Sequence, residues 1–236
     1  DNITKTLRRP FAGAALCALA LTGALSVTGG KIVYGNSATQ DIRLANPKLV
    51  NIPGADVEVV GRFVFTNGLS VAGGEAFFVN TLKTGDSANP ARLERGTVVF
   101  NDQQPFDMSL NQRKFEIEGP TVFRGRADMP RSGANVYVYC YGPLTLDTRD
   151  WTDPSVTRKL FFKGISSGAG SLELTVTGGG SAAIVPAYTY NSCKSVVVAA
   201  GTTLELAPRG NSAEWGHMNA ESLTLGPNAT LAFEAG

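Results

Sequence analysis

The side chains best suited to chemistry are acidic and lie close together in the chain. Asp147, Asp150 and Asp153 surround Trp151 in the segment LDTRDWTDPS. Paired carboxylates can act as acid and base in polysaccharide cleavage, or they can bind Ca²⁺. Asp and Pro are equally the residues from which turns are built. Because no second acidic cluster recurs one repeat away, we favour a turn, with Asp147, Asp150 and Trp151 as candidate binding residues.

A row of tyrosines precedes this segment. Tyr137, Tyr139 and Tyr141 alternate with the small apolar residues Val136, Val138 and Cys140. Such alternation predicts a strand that projects the three rings from one face. An exposed aromatic row can stack on sugars or bind a protein, unless a neighbouring insertion folds over it. The three tyrosines complete the predicted binding set, whose partner is a carbohydrate or a protein on a surface.

The cysteine and histidine residues argue against a metal site and against a catalytic site. Cys17, Cys140 and Cys193 lack the spacing of metal ligands, and Cys140 and Cys193 could pair if Cys17 lies in a removed signal. The only histidine is His217, and no nucleophile elbow accompanies it. The sequence also contains no phosphate-binding glycine motif. We therefore predict no catalytic residue, no metal, no cofactor and no enzymatic activity.

Composition favours an all-β protein with many turns. Charged residues make up 17% of the 236-residue chain, and 27 residues are glycine. Lys and Arg together number 21 against 20 acidic residues, which gives a net charge of +1. No basic run is long enough for a nucleic-acid interface. We expect no nucleic-acid partner.

A repeated unit organises the chain from residue 25 to residue 236. Each unit has a strand, a glycine-centred bend and a second strand, and Gly96, Gly119 and Gly142 follow at equal 23-residue steps. Repeats of this length are typical of a β-helical solenoid whose coils bury one apolar face between neighbours. A Greek-key β-sandwich is the alternative. We expect three insertions to loop out of the stack: LDTRDWTDPS, TGGGSAA and PRGNSAEWGHMN.

The first 24 residues differ from the repeats. Lys5, Arg8 and Arg9 precede the apolar run from Phe11 to Leu21. A basic segment followed by a short apolar run fits a secretory signal. The alternatives are a helix that caps the first coil, or a hydrophobic anchor retained in an assembled fibre.

One segment resembles a known family. Residues 168–206 are similar to the autotransporter-associated β-strand repeat, with departures at Ser192, Cys193 and Lys194 and extra residues around 181–187. The matching positions are Gly168, Gly170, Leu172, Leu174, Tyr190, Gly201, Leu204 and Leu206. The resemblance implies a secreted, right-handed parallel β-helix passenger of a bacterial surface protein. It carries no site residues over to this chain.

Together these patterns predict an exported, non-enzymatic structural or adhesive module on the extracellular or bacterial outer surface. The alternatives are a polysaccharide lyase or glycoside hydrolase on the same scaffold, and a fibre subunit with a retained hydrophobic N-terminal helix. Leu223 to Phe233 contain no charged residue that would protect a strand edge. We therefore expect strands with a free edge there, in a chain that is either part of a longer passenger or a subunit that associates end to end.

Overall fold

Short parallel strands, stacked one coil upon the next, build the molecule. The computed structural model describes residues 31–34, 41–44, 56–59, 62–65, 91–93, 95–100, 115–129, 138–167, 172–186, 191–207 and 218–233. In these ranges strands form where β-branched and aromatic residues alternate with polar ones, because such side chains fit a pleated, half-buried surface. No helix occurs in the same ranges.

Two large sheets account for most of the strands. The nine-stranded sheet contains β2 (Asp41–Leu44), β4 (Arg62–Phe65), β5 (Ala91–Leu93), β7 (Phe115–Ile117), β9 (Val138–Cys140), β11 (Lys159–Ser167), β13 (Ser181–Pro186), β15 (Thr203–Leu206) and β18 (Thr230–Phe233). The seven-stranded sheet contains β6 (Gly96–Phe100), β8 (Thr121–Gly125), β10 (Leu144–Asp150), β12 (Leu172–Thr177), β14 (Asn191–Val198), β16 (Met218–Ala220) and β17 (Leu223–Leu225). A separate pair joins β1 (Lys31–Tyr34) to β3 (Asp56–Val59).

The topology is that of a parallel β-solenoid. From β5 to β15 the chain alternates between the two sheets, so each coil contributes one strand to each. All named strand pairs within the described ranges are parallel, for example β8 with β10 and β10 with β12. The predicted all-β solenoid is confirmed, and the Greek-key sandwich is wrong because its strands would pair antiparallel. The right-handed sense of the coil stays a prediction.

The core lies between the two sheets. In β8, β9 and β12 buried positions alternate with partly exposed ones, as the period of two requires. Phe123 of the seven-stranded sheet meets Phe162 of the nine-stranded sheet with 5.5 Å between ring centroids, and both rings are buried. This contact ties the two sheets together across the middle of the coil.

The equal 23-residue steps predict that Gly96, Gly119 and Gly142 occupy equivalent corners of three stacked coils, which is right for one step and wrong for the other. A Cβ atom added to Gly142 would lie 2.9 Å from the Cα atom of Gly119, so these two glycines stack at one corner. Gly96, by contrast, pairs with Thr121, which in turn pairs with Leu144. Gly96 is therefore equivalent to the residue two positions after Gly119, because the earlier coil is longer.

The three expected insertions differ in outcome. The acidic insertion is only partly as expected: LDTRD belongs to β10, and residues 151–158 connect β10 to β11 outside both strands. TGGGSAA is not an insertion: Gly178 and Gly179 turn with φ of 104° and 79°, and Ser181 already begins β13. Glycine at these two positions permits a tight corner that other residues rarely adopt. The third insertion lies largely at residues 208–217, outside the described residues.

Several other predictions concern residues that the structure does not describe: the segment 1–24, Cys17, Tyr137 and His217. In the described ranges, no helix is long and apolar enough to cross a membrane. Cys140 and Cys193 are free, buried thiols. Burial, with a smaller effect from nearby Cys193, raises the pKa of Cys140, and burial raises the pKa of Cys193 to about 11. Both thiols are therefore inert side chains of the core at neutral pH.

Candidate functional site

The acidic candidates lie where β10 leaves the seven-stranded sheet. Asp147 and Asp150 belong to β10, Trp151 follows directly, and the chain rejoins the nine-stranded sheet at Lys159. The register of β10 against β8 shifts between Asp147 and Asp150, so this end of the strand bulges. We call residues 147–158 the corner insertion. Its conformation is fixed by contacts with the coils on either side.

Asp147 is held by two guanidinium groups. Its side chain is nearly inaccessible, at 3% exposure for the residue. Arg149 donates from Nε to Oδ1 at 2.9 Å and from Nη2 to Oδ2 at 2.7 Å, and its backbone amide donates to Oδ1 at 3.1 Å. Arg124, its register neighbour on β8, places Nε 3.4 Å from Oδ2. The carboxylate charge is thus neutralised within the protein.

Asp150 organises the turn that follows it. Its Oδ1 atom accepts hydrogen bonds from the backbone amides of Thr152 at 2.8 Å and Asp153 at 2.7 Å. Its Oδ2 atom accepts from Nε of Arg158 at 2.7 Å. The residue is 2% exposed. An Asp side chain that caps the amides two and three residues later is a common turn device, and here it closes the insertion.

Both carboxyl groups are stabilised in the ionised form. Burial alone would raise the pKa of Asp147, but hydrogen bonds from Arg149 and the charges of Arg124 and Arg149 outweigh burial and lower the pKa. Burial would also raise the pKa of Asp150, but hydrogen bonds from the amide of Asp153, the side chain of Arg158 and the amide of Thr152 outweigh burial and lower the pKa. A general acid in a glycosidase needs the opposite, a raised pKa. The arrangement is suited to holding the insertion in place.

Arg124 ties the insertion to the preceding coil. Its Nη2 atom donates to the carbonyl of Asp150 at 2.9 Å and its Nε atom to the carbonyl of Arg149 at 3.3 Å. The guanidinium carbon lies 5.2 Å from the ring centroid of Trp151, within cation–π range. The Trp151 amide also donates to the carbonyl of Gly125 at 2.9 Å. The Trp151 ring therefore packs against Arg124 of the preceding coil.

Thr148 ties the insertion to the following coil. The residue is fully buried, and its hydroxyl donates to the carbonyl of Thr177 at 2.8 Å. The same oxygen accepts from the amide of Gly180 at 2.9 Å. The sequence patterns do not point to Thr148, Arg124 or Arg158. The 23-residue step between Arg124 and Asp147, equal to the repeat, is the signal that could have revealed their pairing.

The described tyrosines lie on the other sheet. Tyr139 is partly exposed between Val138 and Cys140, both of which are fully buried, so the predicted alternation is confirmed here. Tyr141 is 46% exposed in the bend that follows β9, and its amide donates to the carbonyl of Ile117 at 2.7 Å. Tyr139 therefore belongs to β9, and Tyr141 belongs to the bend that follows this strand.

The predicted binding residues therefore form two groups. Tyr139 and Tyr141 belong to β9 and its bend, whereas Asp147 and Asp150 belong to the far end of β10 in the seven-stranded sheet. Trp151 follows the second group. Within the described ranges, no group of three or more His, Cys, Asp or Glu side chains could hold a metal ion.

Comparison with known proteins gives no relative. No protein-family model, no curated protein and no solved structure matches the chain. The resemblance to the autotransporter-associated repeat therefore stays a prediction from the sequence. The solenoid geometry and the two residue groups are the basis on which a function can be inferred.

Proposed function

We propose that this protein is an exported, non-enzymatic β-solenoid module that acts as a structural and adhesive element on an extracellular or bacterial outer surface. Tyr139 and Tyr141 form its contact surface for a carbohydrate or a protein. The observation that carries the proposal is the 46% exposure of Tyr141 beside an outward-facing Tyr139 on a strand whose inward residues are fully buried.

The strand beneath these rings supports such a role. Val138 pairs with Phe115 and Ile165, and Cys140 pairs with Ile117 and Ser167, so β9 is bonded on both sides. A backbone fixed in this way loses little conformational freedom when a ligand binds. Tyrosine adds a flat apolar ring with a hydroxyl at its edge, which suits both sugar rings and protein surfaces.

The state of the acidic residues supports a non-enzymatic role. Asp147 is bound by Arg149 and Arg124, and Asp150 is bound by Arg158 and two backbone amides. Parallel β-solenoids carry enzymes as well as binding proteins, so the fold alone does not choose between them. The choice rests on what the candidate carboxylates contact, and their partners are structural.

The binding half of the proposal is tested on immobilised glycans and polysaccharides. We expect binding that Tyr141→Ala weakens at least about tenfold, the equivalent of 1.4 kcal/mol. Val156→Ala is the matched control, because Val156 is an exposed apolar residue of the corner insertion, at 37% exposure. Binding that is unchanged in Tyr141→Ala and Tyr139→Ala would remove the tyrosines from the proposal. If the protein instead released reducing ends or unsaturated products from these polysaccharides, and Asp147→Asn abolished that release, a lyase or hydrolase function would replace the non-enzymatic proposal.

Export is tested separately in a bacterial host. We expect the chain with residues 1–24 to reach the extracytoplasmic side, where added protease can digest it. The same chain without residues 1–24 should remain protected inside the cell. Protection of both forms would contradict the exported location while leaving the binding measurement unaffected.

A further inference from the structure

A carboxylate lies beside the first tyrosine of the contact surface. Glu116 of β7 is the register partner of Tyr139, so the two residues are neighbours on the outward side of the nine-stranded sheet. Adjacent strands are about 4.8 Å apart. Both residues are partly exposed, whereas the next pair along, Ile117 and Cys140, is fully buried. Tyr139 therefore has an acidic neighbour on its β7 side.

The bend that follows these strands repeats the pair. Tyr141 directly precedes Gly142, and Glu118 directly precedes Gly119 in the preceding coil. A Cβ atom added to Gly142 would lie 2.8 Å from the carbonyl oxygen of Glu118, and the amide of Tyr141 donates to the carbonyl of Ile117 at 2.7 Å. The two bends are thus stacked in contact, and Glu118 and Tyr141 are both exposed. Each tyrosine has its own glutamate one coil away.

The order of charges along the stack places the glutamates next to the rings. Arg92 pairs with Glu116, and Arg95 lies in the bend that leads into β6, so both arginines belong to the coil before that of the glutamates. The acidic row lies between the arginines and the tyrosines. A carboxylate has about four acceptor positions, so it can accept from a ligand while it keeps a partner within the protein. On its other side, Tyr139 pairs with the neutral Ser166.

A tyrosine with a carboxylate at its side suits a sugar that carries an amine. The ring packs on the apolar face of the sugar, and the carboxylate accepts charge-assisted hydrogen bonds from the ammonium group. An acidic polysaccharide would meet two like charges at the same place. We propose that the ligand is an amino polysaccharide whose sugars stack on Tyr139 and Tyr141 while their protonated amines bind Glu116 and Glu118. This ligand class rests on the contact surface of the proposed function.

The spacing favours a glycan over a basic polypeptide. Tyr139 and Tyr141 are two residues apart, so their Cα atoms lie within about 7 Å, and each has one glutamate beside it. A ring with an adjacent acceptor, occurring twice, suits a polymer in which every unit has both an apolar face and an amine. Lysine amines in a polypeptide are carried on flexible stems, whose ordering on binding costs affinity.

A matched pair of ligands tests the role of charge. Chitosan and chitin oligosaccharides of equal length share one backbone and differ in whether their amines are free or acetylated. We expect the full chain to bind the chitosan oligosaccharide at least about tenfold more tightly in calorimetry at about pH 6, where the carboxylates are ionised and amines are largely protonated. Added salt should reduce this preference, because it screens exposed charges.

Variants of the two glutamates locate the preference. In the double variant Glu116→Gln with Glu118→Gln, chitosan affinity should fall at least about tenfold, while chitin affinity changes less than about twofold. Retained chitin binding also shows that the double variant is folded. Glu205→Gln is the matched control, because Glu205 is a partly exposed residue of β15, separated from β9 by two strands of the same sheet. It should leave both affinities unchanged.

The contrary results can be told apart. Chitin binding as tight as chitosan binding would overturn the amino polysaccharide and leave the tyrosine contact surface in place. The same holds if the double variant binds chitosan like the unmodified chain. Binding of a lysine oligomer but of neither oligosaccharide would assign the surface to a basic polypeptide. Binding of none of these probes, together with no binding to the immobilised glycans, would overturn both the ligand class and the binding half of the proposed function.

Discussion

The hydroxyl of Thr148 bridges two backbone groups of the following coil, donating to Thr177 at 2.8 Å and accepting from Gly180 at 2.9 Å. Thr148 itself is fully buried, whereas Thr177 and Gly180 are partly exposed. A similar bond recurs one coil later, where the amide of Gly179 donates to Thr202 at 2.9 Å. Buried threonine hydroxyls thus join successive coils at their corners, in addition to the ladders of the two sheets.

Thr148→Val should destabilise the protein by about 1–2 kcal/mol, because it removes the hydroxyl partner of a part-buried carbonyl and a part-buried amide while nearly preserving the side-chain volume. The free energy of unfolding in urea measures the loss. Thr175→Val is the matched control, since Thr175 occupies a partly exposed position on β12. We expect the control to change stability by no more than about 0.5 kcal/mol. Equal effects in the two variants would contradict the bridging role of Thr148.

Gly178→Ala tests the corner that receives this bond. An added Cβ atom would lie 2.6 Å from Oγ1 of Thr148 and 2.8 Å from Oδ1 of Asp147, and the backbone has φ of 104°. Strain and collision act together, so we expect a loss well above about 1 kcal/mol. Gly201→Ala separates the two causes, because Gly201 has φ of 66° but nothing within 4 Å of an added Cβ. The loss for Gly178 should therefore exceed the loss for Gly201 in thermal or urea unfolding.

The repeat explains why the architecture could be predicted from the sequence. The alternation in Leu172–Thr177 predicts a strand, and its recurrence with glycine-centred bends predicts a series of similar coils. Each such coil can bury its apolar side only by stacking on its neighbours. The exact alignment of the coils was harder to predict, since Gly96 and Gly119 are separated by the repeat length and still occupy positions that differ by two residues in the coil. Equal spacing in sequence does not reveal a coil that is longer by two residues.

The candidate site was less predictable because its contacts cross coils. The turn that follows Asp147 and Asp150 could be predicted from the turn residues around them. That both are buried follows only from the arginines of β8 and the returning chain, Arg124 and Arg158, which are 23 and 8 residues away. An acidic turn with solvated carboxylates and one with paired carboxylates have the same local sequence, and only the register distinguishes them.

Acid should weaken the corner insertion through these carboxylates. The folded pKa values of Asp147 and Asp150 lie below the ordinary value of 3.8, so the unfolded chain binds protons first as pH falls. The stabilisation is fully present above that ordinary value and is lost as pH falls through the folded pKa. Asp147→Asn should therefore cost about 1.5–3 kcal/mol at neutral pH, with the difference from the unmodified chain shrinking as the pH falls below 3.8.

Urea unfolding at a series of pH values measures that dependence. Glu221→Gln serves as the control, because Glu221 is an exposed residue in the bend between β16 and β17. Its difference from the unmodified chain should be small at neutral pH. A difference for Asp147→Asn that stays constant down to the lowest pH would show that the effect comes from packing and not from the charge.

Arg124→Lys should destabilise the protein almost as much as Arg124→Ala. The planar guanidinium of Arg124 contacts two backbone carbonyls, lies 3.4 Å from Asp147 and stacks on Trp151, whereas a lysine ammonium cannot reach these groups together. We expect a loss of about 1.5–3 kcal/mol for each variant, measured by urea unfolding, with a change in the emission of Trp151. Arg126→Lys is the matched control, since the bond from Arg126 to Thr152 is exposed and its replacement should cost no more than about 0.5 kcal/mol. If Arg124→Lys retained full stability, positive charge alone would hold the insertion. The planar shape of the guanidinium and its packing on Trp151 would then contribute nothing.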